Sequence, residues 1–289
     1  MKLLFKHLLL LRPDRTGNRT DWSTLTRQRL WTPNQVHLAG YKALCPGWHH
    51  QGYLPPAYPQ VAAADLHLSL IGDRGFPWIP LGMVHLSQSI TQHEPVPVDG
   101  TYTLKANLMP GGMHPKGYLV RLSTALHDPR TDHCLWQSDT VALVMRKHAT
   151  LQDVTPVAPK NQENQDACPS LKHSLKQAWQ AALPEDLGRR YARIAGDLNP
   201  IHQTAWLAKP FGFKQPIIHG MWSLGWVIHQ TLGNSPPSPM NLTACFKRPV
   251  FLPGTVYAGH SNAAQGSCIC LWTEKTKEPA LVVNLKQND

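Results

Sequence analysis

Residues 217–232 of this 289-residue chain are apolar almost all the way round a helix: Ile217, Ile218, Met221, Trp222, Leu224, Trp226, Val227, Ile228 and Leu232 leave little polar surface. A helix of that kind is a buried one. Gly233, followed closely by Asn234 and two prolines, ends it. Sheet follows: "LTACFKRPVF", "TVYAGHSNAA", "SCICLWTEK" and "ALVVNLKQ" are four strand-like runs separated by turn residues. One buried helix wrapped by an antiparallel sheet is an α+β arrangement.

The first half of the chain reads in the same order. An apolar run at 58–72, "YPQVAAADLHLSLIG", precedes "HLSQSITQ", "TYTLKANLM", "GYLVRLSTALHD" and "CLWQSDTVALVMRK". Residues 87–102 align without gaps on 241–256, with Pro95 on Pro249, Val96 on Val250 and Gly100-Thr101 on Gly254-Thr255. The identities are few, and the matching order of elements is what argues for an internal repeat. Between the halves, 149–170 is polar, has three prolines and lacks periodicity, the composition of a linker. The expected division is a unit over 1–148, a linker over 149–170 and a second unit over 171–289.

Composition narrows the classes. With 42% apolar and 16% charged residues the chain is globular and not disordered; its 26 prolines argue against a simple helical bundle. The net charge of +10 admits nucleic acid, an anionic membrane, a phosphate-bearing substrate or an acidic carrier protein. The basic residues are scattered, however. Arg146-Lys147, Arg189-Arg190 and Lys247-Arg248 are the only basic doublets after the N-terminus and form no longer run, so nucleic acid is not expected. The opening "MKLLFKHLLLLRPDRTG" is far shorter than the ~20 apolar residues of a membrane span and lacks a small-residue cleavage site. It reads as a strand or short helix laid on the protein. The six cysteines form no C-x-x-C pair, and Cys268 and Cys270 alternate along a strand. Reduced thiols in a cytoplasmic protein, and no metal site, are the expectation.

No G-x-G-x-x-G, Walker loop, H-E-x-x-H or G-x-S-x-G occurs, which removes the usual dinucleotide, P-loop, zincin and α/β-hydrolase fingerprints. What remains is 191–220, "YARIAGDLNPIHQTAWLAKPFGFKQPIIHG". Gly196 stops a short apolar segment, and Asn199-Pro200 turns the chain into a helix start, expected to run through "IHQTAWLAK". Asp197 then sits in a loop and His202 in the first helical turn. A carboxylate beside an imidazole can hold a water and move its proton, with the aspartate orienting the histidine and keeping it basic. The same octapeptide "GDLNPIHQ" would equally suit a helix cap followed by an exposed histidine. The wider pattern, "AKPFGF" then "PIIHGM" opening a buried helix, separates the two.

That pattern resembles the MaoC-like dehydratases, the R-specific enoyl-CoA hydratase family of hot-dog fold. The family signature is an aromatic residue, a short apolar stretch, Gly-Asp-x-Asn-Pro-hydrophobic-His, a helix, Gly-Phe, and hydrophobic-His-Gly. Tyr191, Gly196, Asp197, Asn199, Pro200, Ile201, His202, Gly212, Phe213, His219 and Gly220 occupy those places. Ala195 stands where a small hydroxylated residue is common and keeps its size. The resemblance covers 171–289, including "FKRPVFLPGT" (246–255). The first half, with "GFPWIPLGMVHLSQSI", is similar to the amino-terminal half of double hot-dog members but lacks D-x-N-P-x-H.

The resemblance implies a double hot-dog, two repeats each wrapping an antiparallel sheet around a central helix. It implies that Asp197 and His202 add water to a trans-2-enoyl thioester or remove it from an R-3-hydroxyacyl thioester. The backbone N–H of Gly220 would bind the thioester carbonyl, where a helix N-terminus suits a growing negative charge. The degenerate first half would shape the acyl pocket. Asn199 is expected to fix the loop and His219 to be a structural hydrogen-bonder. Lys247 and Arg248 are read as two exposed strand charges, with CoA phosphate contact as their functional alternative. His85 is expected in the core or facing a dimer partner, and His49-His50 in a loop. No cofactor is expected beyond the CoA or carrier phosphopantetheine of the substrate. The chain would act as a monomer of two repeats or as a homodimer. A hot-dog thioesterase and a non-catalytic acyl-thioester binding module are the rival readings.

Overall fold

The computed structural model describes residues 22–78, 80–145, 176–235, 237–263, 266–275 and 278–287. The expected linker at 149–170 and the apolar start lie outside the described residues. The first half contains β1 (Thr26–Trp31), α1 (Gln35–Leu44), α2 (Tyr58–Ala62), α3 (Ala64–Ile71), β2 (Val84–Gln92), β3 (Tyr102–His114), β4 (Gly117–His127) and β5 (Cys134–Met145). The second contains β6 (Lys176–Leu183), α4 (Leu187–Ala195), α5 (Ala205–Ala208), α6 (Gly220–Leu232), β7 (Met240–Phe246), β8 (Gly254–Ala263), β9 (Gly266–Thr273) and β10 (Leu281–Gln287).

All ten strands form one antiparallel sheet in the order β1-β3-β4-β5-β2-β7-β10-β9-β8-β6. Each half has the same internal order when read inward from its own edge, and the halves meet where β2 pairs with β7. Ser89 pairs there with Thr243, the residue it matches in the gapless alignment of 87–102 on 241–256. A pseudo-two-fold axis therefore passes through that pair, and the repeat read from sequence is a repeat in space.

The strands alternate as half-buried strands should: Tyr102, Leu104, Ala106 and Leu108 of β3 and Met240, Leu242 and Ala244 of β7 are buried and face the helices. Those inner faces enclose the central helices. In the second half this helix is α6, continuous and apolar all round, with Trp222, Leu224, Trp226, Val227, Ile228 and Leu232 buried. In the first half it is two short pieces, α2 and α3, that meet at Ala63.

Three elements were not read from the sequence. Helix α1, capped by the Asn34 side chain accepting from His37 N–H, closes the open side of α6: Trp222 Nε1 donates to the Leu44 carbonyl at 2.8 Å, and His229 Nδ1 donates to the carbonyl of Cys45. Strand β1 escaped because its helix-facing side carries charge in place of apolar residues. Arg27 pairs with Asp73 and Arg29 with Asp65. Strand β6 is the other sheet edge.

Three local expectations fail. The helix expected through "IHQTAWLAK" is a 3-10 turn (Pro200–His202), a break at Gln203, the single turn of α5, and a second 3-10 turn (Lys209–Phe211) closed by Gly212 at φ 87°. Thr204 makes the break by accepting from Leu207 N–H and starting a new helix. Lys247 and Arg248 lie beyond the end of β7 and not on a strand. Of the thiols, Cys45, Cys134, Cys245 and Cys270 are free, but Cys268 is disulfide-bonded, against the expectation of reduced thiols throughout. No helix among the described residues is long and apolar enough to cross a membrane.

Candidate active site

Helix α4 supports the site from below, burying Leu187, Tyr191 and Ala192. It stops at Gly196, whose φ of 67° is the left-handed conformation glycine adopts without strain. A Cβ there would also press within 2.9 Å of Ala64 Cβ. The chain then reverses through Asp197, whose Oδ1 accepts from Asn199 N–H at 3.0 Å, and the Pro200 turn delivers His202 beneath it.

His202 is buried, and its two nitrogens have different surroundings. Nδ1 lies 2.8 Å from the Ile217 carbonyl; a carbonyl only accepts, so Nδ1 carries the proton and Nε2 presents a lone pair. Nε2 faces Asp197 Oδ2 at 3.8 Å. That is too long for a direct hydrogen bond and short enough for one water lying beside the two atoms to bond both. The orienting group is thus a backbone carbonyl, and Asp197 sits on the opposite nitrogen, a correction to the role read from sequence. Burial pulls the His202 pKa below its ordinary value, while Asp197 and the Ile217 carbonyl pull the other way. The imidazole is a neutral base.

His219 stacks on His202, ring centroids 3.6 Å apart and planes at 23°. Its Nε2 donates to the Asp197 main-chain carbonyl at 3.0 Å, which ties the turn to the start of α6. Burial, with His202 alongside, lowers its pKa to about 3, so it too is neutral. Asn199 reaches the other way, Nδ2 donating to the Met83 carbonyl of the first half at 3.3 Å. Gly220 is the first residue of α6, where helix N–H groups have no intrahelical partner and the dipole is positive. A Cβ on it would meet the Phe246 ring at 2.9 Å, so only glycine lets the strand end pack so closely.

These groups open onto a cavity of about 420 Å³. Asp197, Asn199, His202, His219 and Gly220 line it from the second half, with Lys247 and Arg248. Arg248 is ion-paired with Glu278, and Lys247 N–H donates to the Ala280 carbonyl at 2.8 Å. The opposite wall comes from the first half: α2, α3, and the inner faces of β2 to β5. His85 is part of that wall, and its ring lies 4.5 Å from Phe246. Met83 had no signal in the sequence and His85 none that tied it to this site, because only the fold brings them to the Asp197–His202 turn.

Asp197, His202 and His219 place one donor atom each within 4.8 Å of one another. A shared cation would need converging lone pairs. Stacked rings aim theirs side by side, and His219 Nε2 is engaged with a carbonyl, so the trio fits proton handling better than ligation.

Residues 163–266 match the family model of the MaoC like domain. The chain is 27% identical over 244 residues, 84% of this chain and 80% of the other, to 3-hydroxyacyl-thioester dehydratase X of Mycobacterium tuberculosis. Against the peroxisomal enoyl-CoA hydratase 2 of Arabidopsis thaliana it is 26% identical over 160 residues, 53% of this chain and 50% of that protein. The crystal structure of HtdX from Mycobacterium tuberculosis superposes with a TM-score of 0.74 at 24% identity, covering 92% of this chain and all of that one. The family match falls on the half that holds the Asp197–His202 turn, which therefore carries a MaoC-like domain, and the fold of the two halves together is that of the double hot-dog structures.

Proposed function

We propose that this protein is an acyl-thioester hydratase/dehydratase, interconverting a trans-2-enoyl thioester and the R-3-hydroxyacyl thioester. The observation that carries the reading is the His202 imidazole, held through Nδ1 so that its basic Nε2 and the Asp197 carboxylate face one gap at the mouth of a cavity. The likeness to 3-hydroxyacyl-thioester dehydratase X and enoyl-CoA hydratase 2 supports the same chemistry.

In the hydration direction, water sits between Asp197 and His202. As its oxygen bonds C3, the pair takes one proton and charge moves onto the thioester oxygen. The Gly220 N–H at the head of α6 hydrogen-bonds that oxygen. The proton returns to C2, so one water is added and no electrons are exchanged with a cofactor. Asn199 and His219 hold the catalytic turn, one to the first half and one to α6. Lys247 and Arg248 at the cavity rim suit the phosphates of CoA or a phosphopantetheine arm. One chain supplies both the catalytic pair and the opposite wall, so a monomer suffices.

The test is product analysis on crotonyl-CoA and longer enoyl-CoAs. Formation of the R-3-hydroxyacyl thioester supports the reading. Release of free acid and thiol with no hydrated product would make the protein a thioesterase, and binding without turnover would make it a carrier module.

A further inference from the structure

Gln60, His67 and Thr140 set polar groups among the apolar residues of the cavity's first-half wall, and sheet register shows how deep. Three rows of inward residues cross the first-half sheet: His85, Ala142 and Val120; then Gln88, Thr140, Leu122 and Leu108; then Ile90, Ser138, Thr124 and Ala106. Successive rows are two residues apart along β4 and β5, about 7 Å, with a bulge after His85 taking up one extra residue on β2. His85 marks the catalytic end, because its ring lies on Phe246, which in turn packs against Gly220. The second row is thus roughly 7 Å deeper, and the third lies behind it, outside the residues that line the cavity.

Facing these rows, Gln60, Ala64, His67 and Ile71 recur at the spacing of one helix face along α2 and α3 and line the cavity. Gln60 Nε2 donates to Thr140 Oγ1 at 2.9 Å and its Oε1 accepts from Ser138 Oγ at 2.6 Å. Thr140 Oγ1 donates to Gln88 Oε1 at 2.7 Å. His67 Nε2 bonds Thr124 Oγ1 at 2.9 Å. The bonds consume one Gln60 amide hydrogen and one His67 nitrogen, while each side chain owns two such positions. A hydrocarbon tail at that depth would cover polar groups without satisfying them, at a cost in affinity.

We infer that this pocket selects acyl chains bearing an oxygen function of their own, a hydroxyl or keto group well beyond the thioester, and that His67 and Gln60 are the residues that recognise it. The inference rests on the hydratase reading above for the position of the thioester.

The experiment is a matched series of trans-2-enoyl-CoAs from hexenoyl to dodecenoyl, with and without a terminal hydroxyl, assayed for water addition with the wild type, His67→Leu, Gln60→Leu and the polar variant His67→Gln. The wild type should favour the hydroxylated member by up to about tenfold in kcat/KM at the length that reaches the network, the worth of one neutral hydrogen bond. His67→Leu should abolish or reverse that preference through KM, and His67→Gln should retain it. Plain chains equal to or better than hydroxylated ones at every length would overturn the inference, as would a preference that His67→Leu leaves in place. If Gln60→Leu fails to fold, the two His67 variants still decide. If no member is hydrated, the hydratase reading fails separately, and the same preference is read from the dissociation constants of the series.

Discussion

The two halves of this protein share a strand order and differ in what fills it. In the second half the inner face carries Leu242, Ala244, Val283, Leu285, Ile269 and Leu271, all buried, against a continuous helix with no polar face. In the first half the positions matching Leu242 and Ala244 are Gln88 and Ile90, the neighbouring strands add Thr140, Ser138 and Thr124, and the helix is broken at Ala63. The filled half is closely packed and offers the N-terminus of α6 to the cavity. The open half keeps the same strands but leaves a cavity. Topology therefore does not settle whether a concave sheet is packed solid; helix continuity and side-chain character along one stripe do.

The largest effect should come from the chemistry confined to the second half. Asp197→Asn and His202→Ala should each lower hydration of crotonyl-CoA by roughly 10²–10⁴-fold, with thermal midpoints showing that the fold persists. Wild-type rates in both variants would remove the catalytic asymmetry between the halves.

Packing should differ next. Ile228→Ala, in the filled half, should cost about 2–5 kcal/mol in urea denaturation. Leu122→Ala, bordering the cavity, should cost about 1 kcal/mol because part of its side chain has no neighbour to lose. Equal losses would mean that the cavity is no softer than the core.

Acid should act on the buried histidines in both halves. His229 is wholly buried and its pKa is lowered to about 4, burial being the main cause; His67 in the first half is likewise lowered to about 4. The unfolded chain takes up these protons near 6.5 and the folded protein only near 4. Stability is therefore full above pH 6.5 and is lost as pH falls from there towards 4. Denaturation midpoints measured across that window check the sign. The catalytic base follows the same direction: with the His202 pKa below its ordinary value, hydration should weaken only on acidification below that value.

The smallest effect belongs to the exposed edge of the first half. Lys105 pairs with Asp132 at 2.7 Å, but the aspartate side chain is 74% exposed, so Lys105→Ala should shift stability by less than about 1 kcal/mol.

What the sequence determined by itself was whatever depends on local pattern. Eight of the ten strands showed through alternation and turn residues, α6 showed through its unbroken apolar surface, and the Gly196–His202 turn showed through its spacing. Strand β1 did not, because Arg27 and Arg29 take the inward places that apolar residues usually hold and are neutralised only by Asp65 and Asp73, some 36 or more positions away. The break at Gln203 was hidden in a run that reads as one helix until Thr204 offers its own cap. Tertiary structure alone decided the rest of the site. The Ile217 carbonyl that sets the His202 tautomer is a backbone atom with no sequence signature, and only the fold brings Met83 and His85 to the Asp197–His202 turn and Gln60 and His67 to the cavity it opens on. Local pattern chooses which elements form; the meeting of two repeats about one axis chooses which of their faces share a cavity, and no short stretch of sequence contains that information.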